Sequence, residues 1–358
     1  MDTKLSIIEG SVCPVPISKH DHIVIGHGAG GAMTHSLIQN VFQKYLGNVI
    51  LNQGNDAAML QALRDVPKDQ NLVVSTDAHI VSPLFFAGGD IGRLSICGTV
   101  NDVSMLGAVP KFLTATFILE EGFPISDLER ILVSMSQAAE EAGVQIIAAD
   151  TKVTEKGKSD GIFISTTGIG WAEGSYKISG QSAMPGDVVI LNGPVGNHAI
   201  AVAEARGNLG FHSQIQSDVA PLNGMIANLI EAVPDVHVLR DPTRGGLATT
   251  LVEIACQSKV TIQLREESIP VDRDVQSACN MLGLDPLYMA NEGKLIVIVP
   301  SASATLALET LKKHSYGQNA VQIGVVEDGS SGQLLLKTPL GTTRHLDMLA
   351  GEMLPRIC

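Results

Sequence analysis

The chain has 358 residues, 45% of them hydrophobic and 17% charged, and at roughly 150 residues per domain this length predicts two domains. The composition excludes a disordered or coiled-coil chain, and the 36 glycines follow no collagen-like period. The net charge of −13 disfavours nucleic acid and anionic membranes as partners, so we expect any polyanion to be small and bound with a cation.

Short apolar runs rich in Val and Ile recur along the chain and predict strands. They cover residues 22–25, 48–51, 72–75, 112–119, 144–149, 162–169, 187–191, 237–239, 294–299 and 321–326. Helical segments lie between these runs, so we expect an α/β (α+β) fold rather than an all-β one.

The clearest predicted helix covers residues 126–142, where apolar side chains recur with the helical period. Ser126 followed by Glu129 matches a capping box, and Gly143 is placed to end the helix. A second helix is expected to start at the glycine pair within residues 241–255.

A turn-rich stretch at residues 174–187 marks the predicted domain boundary. We expect an N-terminal arm with a glycine-rich loop over residues 1–34 and a first domain over residues 35–173. A second domain then covers residues 186–345, and residues 346–358 form a flexible tail.

We expect neither a membrane span nor a secretion signal, because no apolar run approaches the roughly 18 residues of a span. The first residues include Asp2 and Glu9, unlike a signal peptide. The five cysteines are scattered without a CxxC pair, which disfavours a disulfide framework and a zinc or iron–sulfur site. A cytoplasmic protein fits these observations best.

A glycine stretch at residues 26–31, which includes Gly28, Gly30 and Gly31, matches the pattern GxGxxG. This pattern is typical of dinucleotide binding, but the acid expected after the second strand is missing, since Asp56 lies beyond a glycine turn. A plain flexible turn and a loop whose N–H groups hold phosphate both remain open interpretations.

Four aspartates follow apolar runs in the first half of the chain: Asp56, Asp77, Asp102 and Asp150. We expect them at strand exits, where a sheet would bring them together. Converging carboxylates repel one another unless a cation lies between them, and oxygen ligands suit Mg²⁺. The pattern therefore predicts a site for a magnesium-bound nucleotide.

The second half contributes three further candidates. Arg244 precedes a predicted helix and is either a phosphate partner or a plain loop residue. Glu292 lies before a strand and taken alone would be a turn residue. Cys358, the last residue, is either an accidental exposed thiol or a covalent carrier that is acylated.

Taken together, these motifs resemble the HypE family of hydrogenase maturation proteins, in order from about residue 20 to the end. The matching segments are the glycine loop, GNDAA, STD, NDV, ADTK, DPTRGGLA, NEGKL and the terminal PRIC. Several are shared with aminoimidazole ribonucleotide synthetase, selenophosphate synthetase and thiamine-monophosphate kinase, whereas the PRIC terminus selects HypE. The resemblance implies a two-domain PurM-like fold whose N-terminal mixed-sheet domain forms a homodimer and binds ATP.

The resemblance also implies an activity, carbamoyl dehydration. Cys358 would receive a carbamoyl group from the carbamoyltransferase HypF, and ATP with Mg²⁺ would dehydrate it to a thiocyanate. The cyano group would then pass to iron on the HypC–HypD complex.

By residue, the resemblance assigns Asp56, Asp77 and Asp102 to the metal and the phosphates. Lys152 and Glu292 would lie near the incoming tail. In one division of roles Lys152 stabilises charge and Glu292 takes a proton, and the sequence leaves open which of the two is the base. The remaining nucleotide-binding candidates are Gly28, Gly30, Gly31, Asp150, Thr151 and Arg244.

Two other classes stay open on sequence grounds. A kinase or synthetase of the same superfamily acting on a free small molecule would not need Cys358. A dinucleotide oxidoreductase would need the missing acid after the second strand.

Overall fold

The computed structural model describes residues 31–37, 39, 55, 58–60, 69–207, 213–329 and 332–349. Several expected features lie outside these ranges: the strands at 22–25 and 48–51, Gly28, Gly30, Asp56, Cys358 and most of the expected tail. Helices and sheets are both present, so the α/β prediction is confirmed.

The described strands and helices are numbered here in chain order. The strands are β1 (Ala58–Leu60), β2 (Gln70–His79), β3 (Phe85–Phe86), β4 (Gly89–Asp90), β5 (Val109–Glu120), β6 (Gln145–Thr154), β7 (Ile162–Glu173), β8 (Asp187–Leu191), β9 (Val238–Arg240), β10 (Thr261–Arg265), β11 (Ile296–Pro300), β12 (Val321–Glu327), β13 (Gln333–Lys337) and β14 (Thr343–Leu346). The α-helices are α1 (Ala32–Leu37), α2 (Ile91–Ser104), α3 (Ile125–Ala142), α4 (Asn197–Ala205), α5 (Asn223–Ala232), α6 (Gly246–Ser258), α7 (Arg273–Leu282) and α8 (Ala304–Lys312).

The first half of the chain forms a five-stranded mixed sheet in the order β1-β2-β7-β5-β6. The pair β5–β6 is parallel and the other pairs are antiparallel. Side chains alternate between the two faces, and β7 alternates between buried and half-buried residues. Helices α2 and α3 cover one face, where Ile96 and Met135 pack with Leu113 and Ile164. The opposite face carries no helix among the described residues.

The second half forms a seven-stranded sheet in the order β14-β13-β10-β12-β8-β11-β9. Its interior strand β8 is buried along its whole length, as its continuous apolar run requires. Val189 and Leu191 pack against Leu247 of α6, whereas Ile190 packs with Ile226 of α5 on the other face. This half is therefore a three-layer arrangement.

Helix α3 confirms the helix predicted over residues 126–142 and its end at Gly143, which has a φ of 68°. The predicted capping box is wrong. Pro124 occupies the N-cap position, no side chain caps the helix, and Ser126 already lies inside the first turn. Helix α6 begins at the predicted glycine pair, after Gly245 with a φ of 81°. No described helix combines the length and apolarity needed to cross a bilayer.

Candidate active site

Two of the candidate metal ligands come from β2 and α2, which pack against each other. Asp77 lies on the helix-facing side of β2, and Gly98 of α2 lies beside it: a side chain there would reach within 3.6 Å of an Asp77 carboxylate oxygen. Asp102 lies one turn further along α2 and accepts a hydrogen bond of 2.9 Å from Ser75 of β2. One helical turn therefore separates the two half-buried carboxylates.

The expectation that the aspartates follow strands is wrong for the three that the structure describes. Asp77 and Asp150 lie inside β2 and β6, and Asp102 lies in the last turn of α2. An apolar run followed by a polar residue also arises when the polar residue is still part of the strand but only half-buried. It arises as well when the apolar run belongs to a buried helix. Asp56, the fourth, lies outside the described residues.

A buried cluster of polar side chains lies next to Asp77, between β2, β7 and α2. His79 lies 3.8 Å from Asp77, and its other ring nitrogen shares a hydrogen bond of 3.1 Å with Thr166. Thr166 in turn shares a hydrogen bond of 2.6 Å with Thr99 of α2. Burial lowers the pKa of His79, and Arg244 adds to this, against the attraction of Asp77. His79 is therefore a neutral support.

Glu292 comes from the second half of the chain and interacts with Asp77 across the junction of the two halves, here called the cleft. It is half-buried, and its pKa is raised well above the ordinary value, first by burial and then by the carboxylates of Asp77, Asp241 and Asp218. The exposed Arg244 acts in the opposite direction on Glu292. Asp77 and Glu292, which are far apart in sequence, are thus brought into one electrostatic unit.

Arg244 is held in position by a tight backbone turn. Gly246 follows it with a φ of 65°, and a side chain at Gly246 would come within 2.6 Å of the Met289 carbonyl oxygen. Asn291 binds the same region, because its amide donates to the Pro242 carbonyl at 2.9 Å. The turn that carries Arg244 is therefore packed directly against the segment that carries Glu292.

Residues 217–222 form a segment, here called the bridging loop, that joins the two sides of the cleft. Asn101, next to Asp102 in sequence, donates to the Ala220 carbonyl at 3.0 Å and accepts from the Leu222 amide at 2.7 Å. The Ala220 amide donates to the Glu292 carbonyl at 3.3 Å. A short hydrogen-bonded path therefore runs from α2 to Glu292.

The ADTK segment lies elsewhere within the chain. Lys152 and Asp150 form an exposed ion pair of 3.1 Å on β6, and the Thr151 amide donates to Asp150 at 2.8 Å. The pKa of Asp150 is lowered, mainly by the hydrogen bond from Lys152. Two strands separate β6 from β2, which corresponds to about 14 Å across the sheet. Within one chain, the structure does not bring Lys152 together with Asp77.

Gly31, the described member of the glycine loop, packs against the start of the C-terminal segment. A side chain at Gly31 would overlap the Leu349 carbonyl oxygen, to which the Ala32 amide donates at 2.6 Å. His35 binds Glu253 at 2.7 Å, and Glu253 also pairs with Arg240 at 2.6 Å. The last residue of the glycine loop and the first residues of the expected tail thus lie against each other.

The donor set fits a magnesium ion only in part within the described residues. Asp77 and Asp102 offer the hard carboxylate oxygens that Mg²⁺ prefers, and one helical turn separates the two side chains. No group of three His, Cys, Asp or Glu in this part of the chain is arranged to hold a metal, and the third expected ligand, Asp56, lies outside it. Two protein carboxylates plus phosphate oxygens are the usual way that a magnesium–nucleotide complex is bound.

Sequence reasoning missed three residues of this site: Asn101, Asp218 and Asp241. Asn101 lies beside a candidate and Asp241 lies within the cluster that contains Arg244, so adjacency was the available signal. Asp218 lies in no recognisable motif.

The chain matches two family models over most of its length. Residues 54–172 match the AIR synthase related protein, N-terminal domain, and residues 184–337 match the AIR synthase related protein, C-terminal domain. The chain is 51% identical over 341 residues to the carbamoyl dehydratase HypE of Cupriavidus necator, covering 95% of this chain and 96% of that one.

Two solved structures extend the similarity to three dimensions. One is a HypE–HypF complex, with 48% identity and a TM-score of 0.82, covering 88% of this chain and all of the other. The second is a HypE in complex with ATP, with 47% identity and a TM-score of 0.78, covering 93% and 98% of the two chains. The expected two-domain PurM-like architecture is confirmed by these matches.

Proposed function

This chain belongs to the HypE family of carbamoyl dehydratases, and we propose that it dehydrates a carbamoyl group carried on Cys358 to a cyano group, using ATP and Mg²⁺. The product supplies the cyanide ligand of the [NiFe]-hydrogenase iron centre. The observation that supports this best is Glu292, a half-buried acid with a raised pKa, in one cleft with Asp77.

The first step makes the carbamoyl oxygen a leaving group. This oxygen attacks the γ-phosphorus of ATP, the bond to ADP breaks, and the carbamoyl nitrogen loses one proton. Mg²⁺ neutralises charge on the phosphates in such transfers, so the protein needs to position the reactants rather than supply a nucleophile. Asp77, Asp102 and Asp56 are the proposed ligands, and Arg244 is the proposed phosphate partner.

The second step is an elimination. The remaining N–H proton leaves, the C–O bond breaks, and phosphate departs as the carbon–nitrogen triple bond forms. A base must take that proton, and a carboxyl group whose pKa is raised towards the working pH is a better acceptor than an ordinary one. Glu292 meets this requirement, since burial and neighbouring carboxylates raise its pKa. The glycines at 28, 30 and 31 would cover the phosphates.

We propose a homodimer in which a second copy covers the outer edge of the first sheet, along β6. The outer strand β6 is exposed along nearly its whole length, with Ile147 at 55% and Val153 at 69% exposure. Native proteins rarely leave such an edge uncovered. Dimerisation would also give Lys152, Asp150 and Thr151 a role at the partner subunit's site, since they lie far from Asp77 in their own chain.

The proposed partners are the carbamoyltransferase HypF, as donor, and the HypC–HypD complex, as acceptor. The similarity to a HypE solved with HypF supports the first. A cytoplasmic location belongs to the same proposal, because a thiol that works as a carrier must stay reduced.

The test is to remove the carrier thiol. The variant Cys358→Ala should bind Mg-ATP normally but should neither accept a carbamoyl group nor release phosphate from ATP when HypF, carbamoyl phosphate and ATP are present. Intact mass measures the first outcome, and phosphate released from γ-labelled ATP measures the second. Wild-type phosphate release by Cys358→Ala would instead favour a synthetase or kinase that acts on a free small molecule.

A further inference from the structure

The segment that carries Glu292 is held by a buried ion pair that the proposed chemistry does not use. Asp218 of the bridging loop accepts the Glu292 amide on one carboxylate oxygen at 3.1 Å and the Gly293 amide on the other at 3.3 Å. Lys294 binds the second oxygen at 2.9 Å, and the two side chains are only 7% and 10% exposed. We infer that Asp218 and Lys294 are positioning residues that fix Glu292 for proton removal, an inference that rests on the proposed function.

The bridging loop is itself anchored to the first half of the chain. The Ser217 amide donates to the Ala87 carbonyl at 2.8 Å, and Arg93 of α2 donates to the Val219 carbonyl at 3.0 Å. Buried His198 shares a hydrogen bond of 2.8 Å with the Ser217 hydroxyl. Two contacts from the half of the chain that carries Asp77 and Asp102 therefore help to set the position of Asp218, and His198 of α4 adds a third.

The bridging loop and the Glu292 segment are in such close contact that the backbone at Gly293 leaves no room for a side chain. A side chain at Gly293 would overlap the Asp218 carbonyl oxygen, so glycine is required there. Asn192 donates to the Gly293 carbonyl at 3.2 Å and accepts from the Leu295 amide at 2.7 Å, which fixes the far side. Asp218 thus supplies the hydrogen bonds on the cleft side, at Glu292 itself.

The consequence of losing this contact is specific to the second step. An asparagine at position 218 has one acceptor instead of two, and its amide would meet the Lys294 ammonium or the Gly293 amide. The Glu292 backbone would then move by a fraction of an ångström to about an ångström, and misplacement of this size costs up to 100-fold in rate. Nucleotide binding, which does not involve this segment in the proposed mechanism, should change little.

The experiment compares Asp218→Asn and Lys294→Gln with a matched control, Asp187→Asn. Asp187 is as buried as Asp218, pairs with His237 at 2.8 Å and accepts the Met184 amide at 2.8 Å, but lies at the start of β8. Each full-length protein is mixed with HypF, carbamoyl phosphate and Mg-ATP, and intact mass follows the carbamoylated and cyano forms with time. Conversion is the rate at which the carbamoylated form loses the mass of one water.

We expect Asp218→Asn to convert on the order of 10- to 100-fold more slowly than wild type, with an unchanged Kd for Mg-ATP. Lys294→Gln keeps a donor to Asp218 and should slow conversion less. Hydrogen exchange should rise at the Glu292 and Gly293 amides in both variants. The control should lose stability but convert at the wild-type rate.

Four results would count against the inference. Wild-type conversion and exchange in the folded Asp218→Asn variant would overturn it, and if that variant does not fold, wild-type behaviour of Lys294→Gln would overturn it instead. Equal slowing in Asp187→Asn would show a general loosening rather than positioning. A loaded wild type that never converts would overturn the proposed function and this inference with it.

Discussion

Replacing Glu292 with glutamine should make the protein more stable and its proposed reaction slower. In the folded chain, burial and the carboxylates of Asp77, Asp241 and Asp218 raise the pKa of Glu292. The unfolded carboxyl group ionises near pH ~4.3, so between that pH and the folded pKa the folded state binds more protons than the unfolded state. Stability must therefore fall as pH rises through this window. Glutamine keeps the shape of the side chain and removes the penalty.

The size of the gain follows from the same linkage. Each unit by which folding raises the pKa corresponds to about 1.4 kcal/mol of stability lost above the folded pKa. The gain should therefore be absent near pH ~4, where both states are protonated, and full at alkaline pH. Dehydration should slow by about 10²- to 10⁴-fold, the usual contribution of a general base. The loaded protein should then accumulate in the carbamoylated form.

The measurement is urea unfolding at acid and alkaline pH, without nucleotide or magnesium, together with single-turnover mass spectrometry. Glu253→Gln is the control of opposite sign. Burial alone would raise the pKa of Glu253, but the hydrogen bonds from His35 and Arg240 outweigh it and the pKa is lowered. That variant should lose stability at neutral pH. If Glu292→Gln is no more stable than wild type at alkaline pH and converts at the normal rate, the reasoning about Glu292 is refuted.

Three further changes test other parts of the structure. Asp77→Asn should weaken Mg-ATP binding in calorimetry without unfolding the protein; unchanged affinity would remove Asp77 from the site. Gly246→Ala should cost about 2–5 kcal/mol in denaturant unfolding, because it combines a positive φ with a contact of 2.6 Å to backbone, whereas Gly143→Ala, with nothing within 4 Å, should cost only about 1–2 kcal/mol. Val153→Asp should yield monomers in light scattering at concentrations where wild type is dimeric; a dimeric variant would argue against β6 as the interface.

Apolar patterning was enough to place most of the fold. The run at residues 187–191 became β8 without any change of bounds, because a strand buried on both faces shows a continuous apolar run after its first residue, Asp187. The helix over 126–142 was equally clear, since one exposed face gives a strong period. Helix α2 was missed because it is buried almost all round, so its sequence shows no polar stripe from which to read a period.

The site residues could be predicted only where an acidic side chain stands in a recognisable segment of the sequence. Asp77, Asp102 and Glu292 were found as acids in recognisable segments, but the assignment of the two aspartates to strand ends was wrong. Asp218 could not be found, because its role depends on two backbone amides that approach it only after the halves pack. A local signal cannot report a contact that tertiary structure creates.

Lys152 lies on β6, away from the cleft of its own chain, although the proposed reaction gives it a role near the tail. Asp77 shares its row across the sheet with Ala149 of β6, by way of Thr166 and Ala115. Lys152 lies three residues further along, so its side chain points to the opposite, helix-free face. A cation on that face cannot serve the cleft of its own chain, yet it lies where a second copy would dock. If Lys152 stabilises charge during dehydration, the complete site therefore belongs to the dimer.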